Sequence, residues 1–298
     1  MSSQNRSAVI TVVVGLVIGA LVALAGSQGG ATVGGIPVFA LAVAAAFAVQ
    51  VLVYIPSAIA RTERFFDATG SATFILVTLG VTLLSPSPDA RSLALAAMVI
   101  IWAARLGSFL FIRIHRSGSD DRFDDIKVHP LSFLRVWIMQ GLWVSITAAA
   151  AWIAMATEPA DRVSFDVFAG IGIVIWIVGM LIEVVADLQK NAFKADPANK
   201  GRFIRTGLWS RSRHPNYFGE ILAWVGVATV AAPVFEGWQW IGLLSPVFVI
   251  LLLTRVSGIP LLEKKADKRW GGDADYEAYK TATPVLVPSL GRAKVAAH

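Results

Sequence analysis

Eight apolar stretches recur along this chain, at about 8–25, 36–59, 71–84, 91–111, 132–156, 167–186, 220–235 and 239–254. Crossing a bilayer takes about 20 residues of helix, and lipid tolerates only structures that satisfy their own backbone hydrogen bonds. The expected fold class is therefore an all-α polytopic membrane protein with about eight transmembrane helices. The third and seventh stretches are short, so they must tilt, extend through polar residues or re-enter. A content of 56% hydrophobic and 15% charged residues, with a mean hydropathy of +0.65, excludes an ordinary soluble domain. The first stretch resembles a secretory signal only superficially. Small residues follow it from Gly26 to Gly35, but the next apolar run begins at once, so it reads as an anchor.

Charge alternates between the connecting segments. With the N-terminus in the cytoplasm, inner segments carry Arg6, then Arg61 and Arg64, then Arg113, Arg116, Arg122, Lys127 and Arg135. Seven Lys/Arg follow between Lys190 and Arg213, and eight from Arg255 onward, whereas the outer loops hold only Arg91 and Arg162. This is the pattern of the positive-inside rule. It places both termini in the cytoplasm, and it assigns the net charge of +6 to loops facing anionic lipid rather than to nucleic acid. The chain has no cysteine, and His115, His129, His214 and His298 have no metal-ligand spacing, so no metal site is expected. The run from Asp120 to Asp125 alternates its acids with Arg122 and reads as a solvated loop, without calcium-loop spacing. Trp270, Tyr276 and Tyr279 suit the headgroup level of the polar C-terminal region. No internal repeat or low-complexity linker appears. Residues 1–60 read as N-terminal spans, 61–288 as the main membrane domain and 289–298 as a frayed tail.

One interruption is unlike the others. From Glu183 to Glu220 the chain reads EVVADLQKNAFKADPANKGRFIRTGLWSRSRHPNYFGE. Glu183, Asp187, Lys190 and Lys194 recur at three- and four-residue steps and so share a helical face. A carboxylate near the hydrocarbon costs at least ~2.5 kcal/mol on insertion scales and usually faces a cavity or a partner. The competing reading is a helix end emerging into water, its acids paired with loop arginines. Downstream, Pro215 suits the first turn of a helix that Ser212 or His214 can cap. Arg205, Arg211 and Arg213 crowd the positive end of that helix, a ready phosphate site. Asn216, Tyr217 and Glu220 add directed amide, phenol and carboxylate groups on the helix itself. The plainer alternative, arginines on lipid phosphates, does not account for His214, Asn216, Tyr217 and Glu220 together.

These residues, with GLWSRSRHPNYFGE at 207–220 and the later SGIPLLEKKADKRWGG, YEAYK and TPVLVP, resemble the steroid 5-alpha-reductase superfamily, particularly its bacterial branch. The resemblance covers roughly residues 61–288. It implies a seven-helix membrane core, to which this chain adds an N-terminal span, in a bacterial inner membrane. It also implies an NADPH-dependent reductase of an activated carbon–carbon double bond. By the same resemblance, Asp187, Lys194, Asn216, Glu220 and Arg255 lie around the cofactor. No strand–glycine–helix fingerprint is present, so NADPH would bind without a Rossmann fold.

Reducing a conjugated enone needs an acid or hydrogen-bond donor at its carbonyl oxygen. Steroid-specific members of the superfamily use a glutamate and a tyrosine from earlier helices. Here the tyrosine position is Trp102, whose indole N–H donates a hydrogen bond but is no proton donor. The glutamate's nearest counterpart is Asp67, and Arg105 matches a family arginine. Arg105 has two readings, a substrate anchor or a partner for a buried acid such as Asp67 or Glu183. The expected substrate is hydrophobic, of sterol, quinone or isoprenoid type, entering from the bilayer; the Trp102 and Asp67 departures weigh against a 4-ene-3-ketosteroid.

Two other function classes remain. Isoprenylcysteine-type membrane methyltransferases share the Arg-His-Pro-x-Tyr helix start and bind S-adenosylmethionine there. They usually carry paired glutamates after the next span, where this chain has Leu262-Glu263-Lys264. A non-catalytic lipid- or cofactor-binding protein is the third class. Sequence sets no oligomeric state. The expected topology is testable by single-cysteine labelling, since the chain has no cysteine of its own. Cysteines within 89–91 and 158–166 should label from outside, and Lys200→Cys only from the cytoplasm. Outside labelling at position 200 overturns the orientation.

Overall fold

The computed structural model describes residues 3–117 and 123–289, the side chains of 112–117 excepted. Arg113, Arg116, Arg122, His115, Asp120, Asp121 and His298 therefore lie outside the described side chains. The described helices are α1 Ser3–Gly26, α2 Val38–Ile59, α3 Phe66–Leu84, α4 Ala90–Ser117, α5 Pro130–Met155, α6 Val167–Ala195, α7 Pro215–Ala231, α8 Leu244–Leu251, α9 Gly258–Trp270 and α10 Ala274–Ala282. They supply eight helical segments long and apolar enough to cross a membrane. The protein is thus an all-α polytopic membrane protein. The short third stretch reaches 19 residues by extending through the polar turn that holds Asp67, Thr69 and Ser71. The seventh reaches 20 by starting at Pro215. Between α1 and α2 the small residues form a hairpin, β1 Thr32–Val33 paired antiparallel with β2 Ile36–Pro37. Gly34 and Gly35 turn it with φ of 57° and 80°, values that a two-residue hairpin requires.

The chain divides into two compact units, one of Met1–Gly170 with Val227–Ser245, the other of Ile171–Gly226 with Pro246–His298. In the first, α1, α2, α3 and α4 all pack on α5, which is buried along most of its length and lined with alanines at 148–151. Two buried polar pairs inside this unit run between neighbouring helices. Trp152 Nε1 donates to Thr78 Oγ1 at 2.9 Å, and Gln50 Nε2 donates to Thr73 Oγ1 at 2.8 Å. Phe66, Phe123, Phe133 and Trp137 form an aromatic cluster of edge-on and tilted rings. Next to it in the chain, buried Glu63 takes a 2.9 Å ion pair from Lys127, which also bonds Asp124 at 2.9 Å. Those bonds, to Asp124 first and Glu63 second, hold Lys127 above its usual value. The acidic run read as a solvated loop is thus tied down at its described end, with Phe123 buried.

Arg91 and Arg162, the two arginines that break the charge alternation, close loops. Arg91 is 2% exposed, donates to the carbonyls of Val230, Ser164 and Val163, and pairs with Asp166 at 2.9 Å. The backbone N–H of Ala169, then Arg91, holds Asp166 below the usual carboxylate range. Arg162 donates to the carbonyls of Ser87, Pro86 and Thr157. A guanidinium offers five N–H donors, so each arginine satisfies several loop carbonyls at once, and Arg91 also takes that of Val230 at the end of α7.

In the second unit, α6 and α7 meet backbone to backbone. A Cβ at Gly219 would stand 2.5 Å from the Gly179 carbonyl oxygen, and one at Gly226 2.6 Å from that of Gly172. Small residues permit such approach, which substitutes dispersion contacts for the hydrophobic drive that lipid removes. After α8 a single π-helical turn, Leu252–Val256, leads into α9. Here Gly258 lets the chain pass Tyr217, since a Cβ would lie 2.9 Å from Tyr217 Cε2. α9 stops before Gly271 and Gly272, as the paired glycines lead one to expect, and Asp273 caps α10 through the N–H groups of Asp275 and Tyr276. Gly219→Val is expected to force the helices apart, costing about 1–3 kcal/mol or more as overpacking. Gly170→Ala, with open space around it, is the control. Thermal unfolding in detergent reads both, and a Gly219→Val midpoint equal to wild type contradicts the close crossing.

Candidate cofactor site

The end of α6, the segment from Asn199 to His214, α9 and α10 enclose a cavity of about 490 Å³ in the second unit. Its walls are basic. Lys190 and Lys194 come from α6, Lys200 and Arg202 from the following segment, Arg213 from the approach to α7, and Lys265 and Arg269 from α9. Glu263 is the one acid among the lining residues. Its Oε2 accepts from Arg213 Nη1 at 2.6 Å and its Oε1 lies 2.7 Å from His214 Nε2. That carboxylate is consumed by these partners. No carboxylate pairs with Lys194, Lys200, Arg202 or Lys265 among the described residues, and Lys190 sits over the Trp209 ring at 4.3 Å.

Turn chemistry shapes this wall. Asp196 accepts from Ala198 N, starting the short turn Pro197–Asn199, and Gly201 reverses the chain at φ 86°. Gly207, at φ 60°, lies against Gln189, whose Oε1 accepts from Leu208 N at 2.9 Å. Trp209 then donates its indole N–H to the Ala186 carbonyl at 3.0 Å. Phe203 packs against Trp270, Tyr276 and Tyr279 with ring centroids 5.3–5.8 Å away. The expectation that these three aromatics anchor at headgroups is therefore corrected. Tyr276 and Tyr279 are buried, Trp270 donates to the Gly201 carbonyl at 2.6 Å, and Tyr279 donates to that of Trp209 at 2.7 Å. They build the cavity, since each ring has a polar tip with a protein partner inside the unit.

The residues singled out by sequence divide between this cavity and its surroundings. Lys194, Arg213 and His214 line it. His214 stacks on Tyr217, with ring centroids 5.8 Å apart and 11° between planes. Asn216 Nδ2 donates to Asp187 Oδ1 at 3.3 Å, so the α6 stripe and the α7 start do meet, though neither residue lines the cavity. Glu183, 3% exposed, is buried on the same helix, and Glu220 is half-buried one turn into α7. Arg205 pairs with Asp275 at 3.3 Å over the Phe203 ring, Arg211 is exposed, and Arg255 is exposed on the π-helical turn. Ser212 Oγ accepts from His214 N at 3.1 Å, so the turn before Pro215 is held by the serine. Asp67, Trp102 and Arg105 belong to the first unit. Asp67 stands in the first turn of α3, Trp102 is buried edge-on to Phe74 at 5.2 Å, and Arg105 is half-buried on α4. Sequence reasoning left out Lys265, Arg269 and the aromatic wall, and read Glu263 only as the single acid where the methyltransferases carry a pair. The spacing of Glu263, Ala266 and Trp270, one face of a helix, was the available signal. Among the described residues no group of three His, Asp or Glu is placed to hold a metal.

The family model described as a protein of unknown function, DUF1295, matches residues 53–283. The chain belongs to that family, which lies within the steroid 5-alpha-reductase superfamily. Among curated relatives, a steroid 5-alpha-reductase of Gossypium hirsutum is 35% identical over 119 residues, covering 40% of this chain and 41% of the relative. The protein named "Probable O-methyltransferase ustE" of Ustilaginoidea virens is 30% identical over 88 residues, 30% of this chain and 31% of its own length. An uncharacterised protein of Schizosaccharomyces pombe is 25% identical over 209 residues, 59% of each chain. The chain thus spans from 31% to 59% of these relatives' lengths. No solved structure gives a significant match.

Asp267 on α9 receives Tyr276 OH at 2.9 Å and Lys280 Nζ at 2.6 Å, hooking α10 to α9. Burial, then the Asp267 bond, raises Tyr276, and the Asp267 bond raises Lys280. A raised lysine contributes stability fully below its unfolded value of 10.5 and loses it as pH passes the higher folded value. The raised tyrosine acts in the same direction, because the unfolded phenol ionises first. Alkaline titration is therefore expected to loosen α10 and change Trp270 emission, and Lys280→Met should flatten the change. An unaltered emission curve in that variant contradicts the hook.

Proposed function

We propose that this protein is an NADPH-dependent membrane reductase of an activated carbon–carbon double bond in a hydrophobic substrate. The single observation that carries the cofactor is the charge of the cavity, whose lysines and arginines far outnumber its one, already occupied, carboxylate. Lys190 and Lys194 are close enough to act on each other, and like charges held together favour a polyanionic ligand. NADPH brings a pyrophosphate and a 2′-phosphate. S-adenosylmethionine brings a sulfonium cation, which the same wall repels. Each charge-assisted phosphate bond contributes about 1.5–3 kcal/mol. The aromatic surfaces of Trp209, Phe203 and Trp270 suit an adenine. The superfamily supports reduction as the reaction class, and the methyltransferase reading keeps the weaker support of its short match.

When bound, NADPH supplies a hydride to the β-carbon of a conjugated double bond. The chain's part is to hold the phosphates through Lys194, Lys200, Arg202 and Lys265. Asn216, whose Oδ1 is buried with no protein partner, offers a hydrogen-bond acceptor beside Asp187. We assign Asp67 to polarise or protonate the substrate carbonyl as enolate charge develops, with Arg105 as an anchor and Trp102 as a hydrogen-bond donor. The substrate enters from the bilayer, and the cavity faces the cytoplasm, where NADPH is supplied.

Purified protein should bind NADPH at micromolar concentration, more tightly than NADH. Arg202→Ala and Lys265→Ala should each weaken binding by about 1.5–3 kcal/mol with folding intact. Asp67→Asn should keep NADPH affinity yet lower enone-dependent NADPH oxidation by ~10²–10⁴-fold. Tight binding of S-adenosylmethionine, with no response to NADPH, replaces this reading by the methyltransferase.

A further inference from the structure

The segment 211–213, which carries Arg213 and leads into α7, lies outside the helices, and its backbone is held by the C-terminal residues 284–289. Arg213 N donates to the Pro284 carbonyl at 2.9 Å, and Ser289 N donates to that of Arg211 at 2.9 Å. Ser212 lies between these two bonds and is fully buried, at 0% exposure. Its hydroxyl donates to the Leu286 carbonyl at 2.7 Å and accepts from His214 N at 3.1 Å. One serine therefore couples the C-terminal strap to the first residue of the His-Pro turn. On its other side, the same turn is fixed by Glu263, which bonds both Arg213 and His214. The strap itself is anchored behind: Thr283 N donates to the Tyr279 carbonyl, and Tyr279 OH to that of Trp209.

From this geometry we infer that Ser212 and the strap 284–289 are positioning elements for the cofactor site, setting Arg213 and the start of α7 against the cavity. The inference rests on the NADPH reading of that cavity. A single buried hydrogen-bonding residue with partners on both sides fixes a backbone that no helix or sheet fixes. Among the described residues, all eight helical segments long and apolar enough to cross a membrane end by Trp270, so the strap completes none of them. Its loss should reach the cavity before it reaches the bundle.

The test measures NADPH affinity per folded molecule and the thermal midpoint on the same preparation, for wild type, Ser212→Ala and Ser289→Pro. Ser212→Ala removes the coupling hydroxyl. Ser289→Pro removes the N–H that Arg211 accepts, without touching the buried serine. Both variants are expected to lose NADPH affinity by about five- to tenfold, the scale of one buried hydrogen bond, and the pair should lose similar amounts. Should Ser212→Ala fail to fold, Ser289→Pro decides alone. Wild-type affinity per folded molecule in Ser289→Pro overturns the inference, whatever happens to the midpoint. Wild-type protein that binds no NADPH fails the cofactor reading instead, and is distinguished by the unsubstituted control.

Discussion

The second unit depends on two helices touching without side chains between them. Where Gly179 faces Gly219, and Gly172 faces Gly226, the axes of α6 and α7 are held at backbone distance. That contact sets the geometry of the polar end. Glu183 is buried one turn beyond Gly179, and Asp187, one turn further, reaches Asn216 at 3.3 Å. Were the helices separated by ordinary side chains, this amide–carboxylate pair would not form. The polar segment between the helices would also have no narrow mouth to fold across. An acid in an apolar helix and glycines in its neighbour are thus two halves of one arrangement.

Onto that frame the chain folds a surface that is poor for its own stability. Lysines and arginines from three separate segments converge on one cavity with a single carboxylate among them. A chain optimised only for folding would intersperse acids, as it does on the outer side of the same unit, where Asp275 meets Arg205 and Asp267 meets Lys280. The uncompensated charge is tolerable because aromatic rings and backbone carbonyls carry the packing: Phe203 amid Trp270, Tyr276 and Tyr279, and Trp209 bonded at both its indole and its carbonyl. Local conflict of this kind is what the proposed anion-binding role accounts for.

The first unit solves a different problem with the same residues. Two of its arginines hold loops closed. Arg91 and Arg162 spend their N–H groups on backbone carbonyls of loops and helix ends. Its internal polar groups run between helices, as Gln50 to Thr73 and Trp152 to Thr78 do. In lipid such bonds add orientation more than strength, since their measured worth averages below about 1 kcal/mol. Arg91 and Arg162 are therefore staples, whereas Arg202 lines the cavity with no carboxylate paired to it among the described residues. The difference lies in whether acceptors are already in place.

That difference explains what the sequence made legible and what it hid. The spans were legible because bilayer thickness imposes a length on apolar runs, and the polar ends of α3 and α7 were found once Asp67 and Pro215 were admitted as helical. Helical periodicity put Glu183, Asp187, Lys190 and Lys194 on one face of α6 and Pro215 marked the start of α7, but the bond from Asn216 to Asp187 is seen only in the fold. Arg205 was misleading, because basic residues clustered in one segment look alike until Asp275, 70 positions away in chain order, is seen to claim it. The aromatic wall was hidden for a related reason. Trp270, Tyr276 and Tyr279 come after the last span, where amphipathic rings ordinarily meet headgroups, and nothing local says that Phe203 sits among them. Glu263 is the sharpest case. Read along the chain it is a lone acid among lysines, and only the fold brings Arg213 and His214 to its two oxygens. Periodicity exposes contacts along one helix, but a site assembled from α6, a long segment, α9 and α10 becomes visible only when the chain returns to itself.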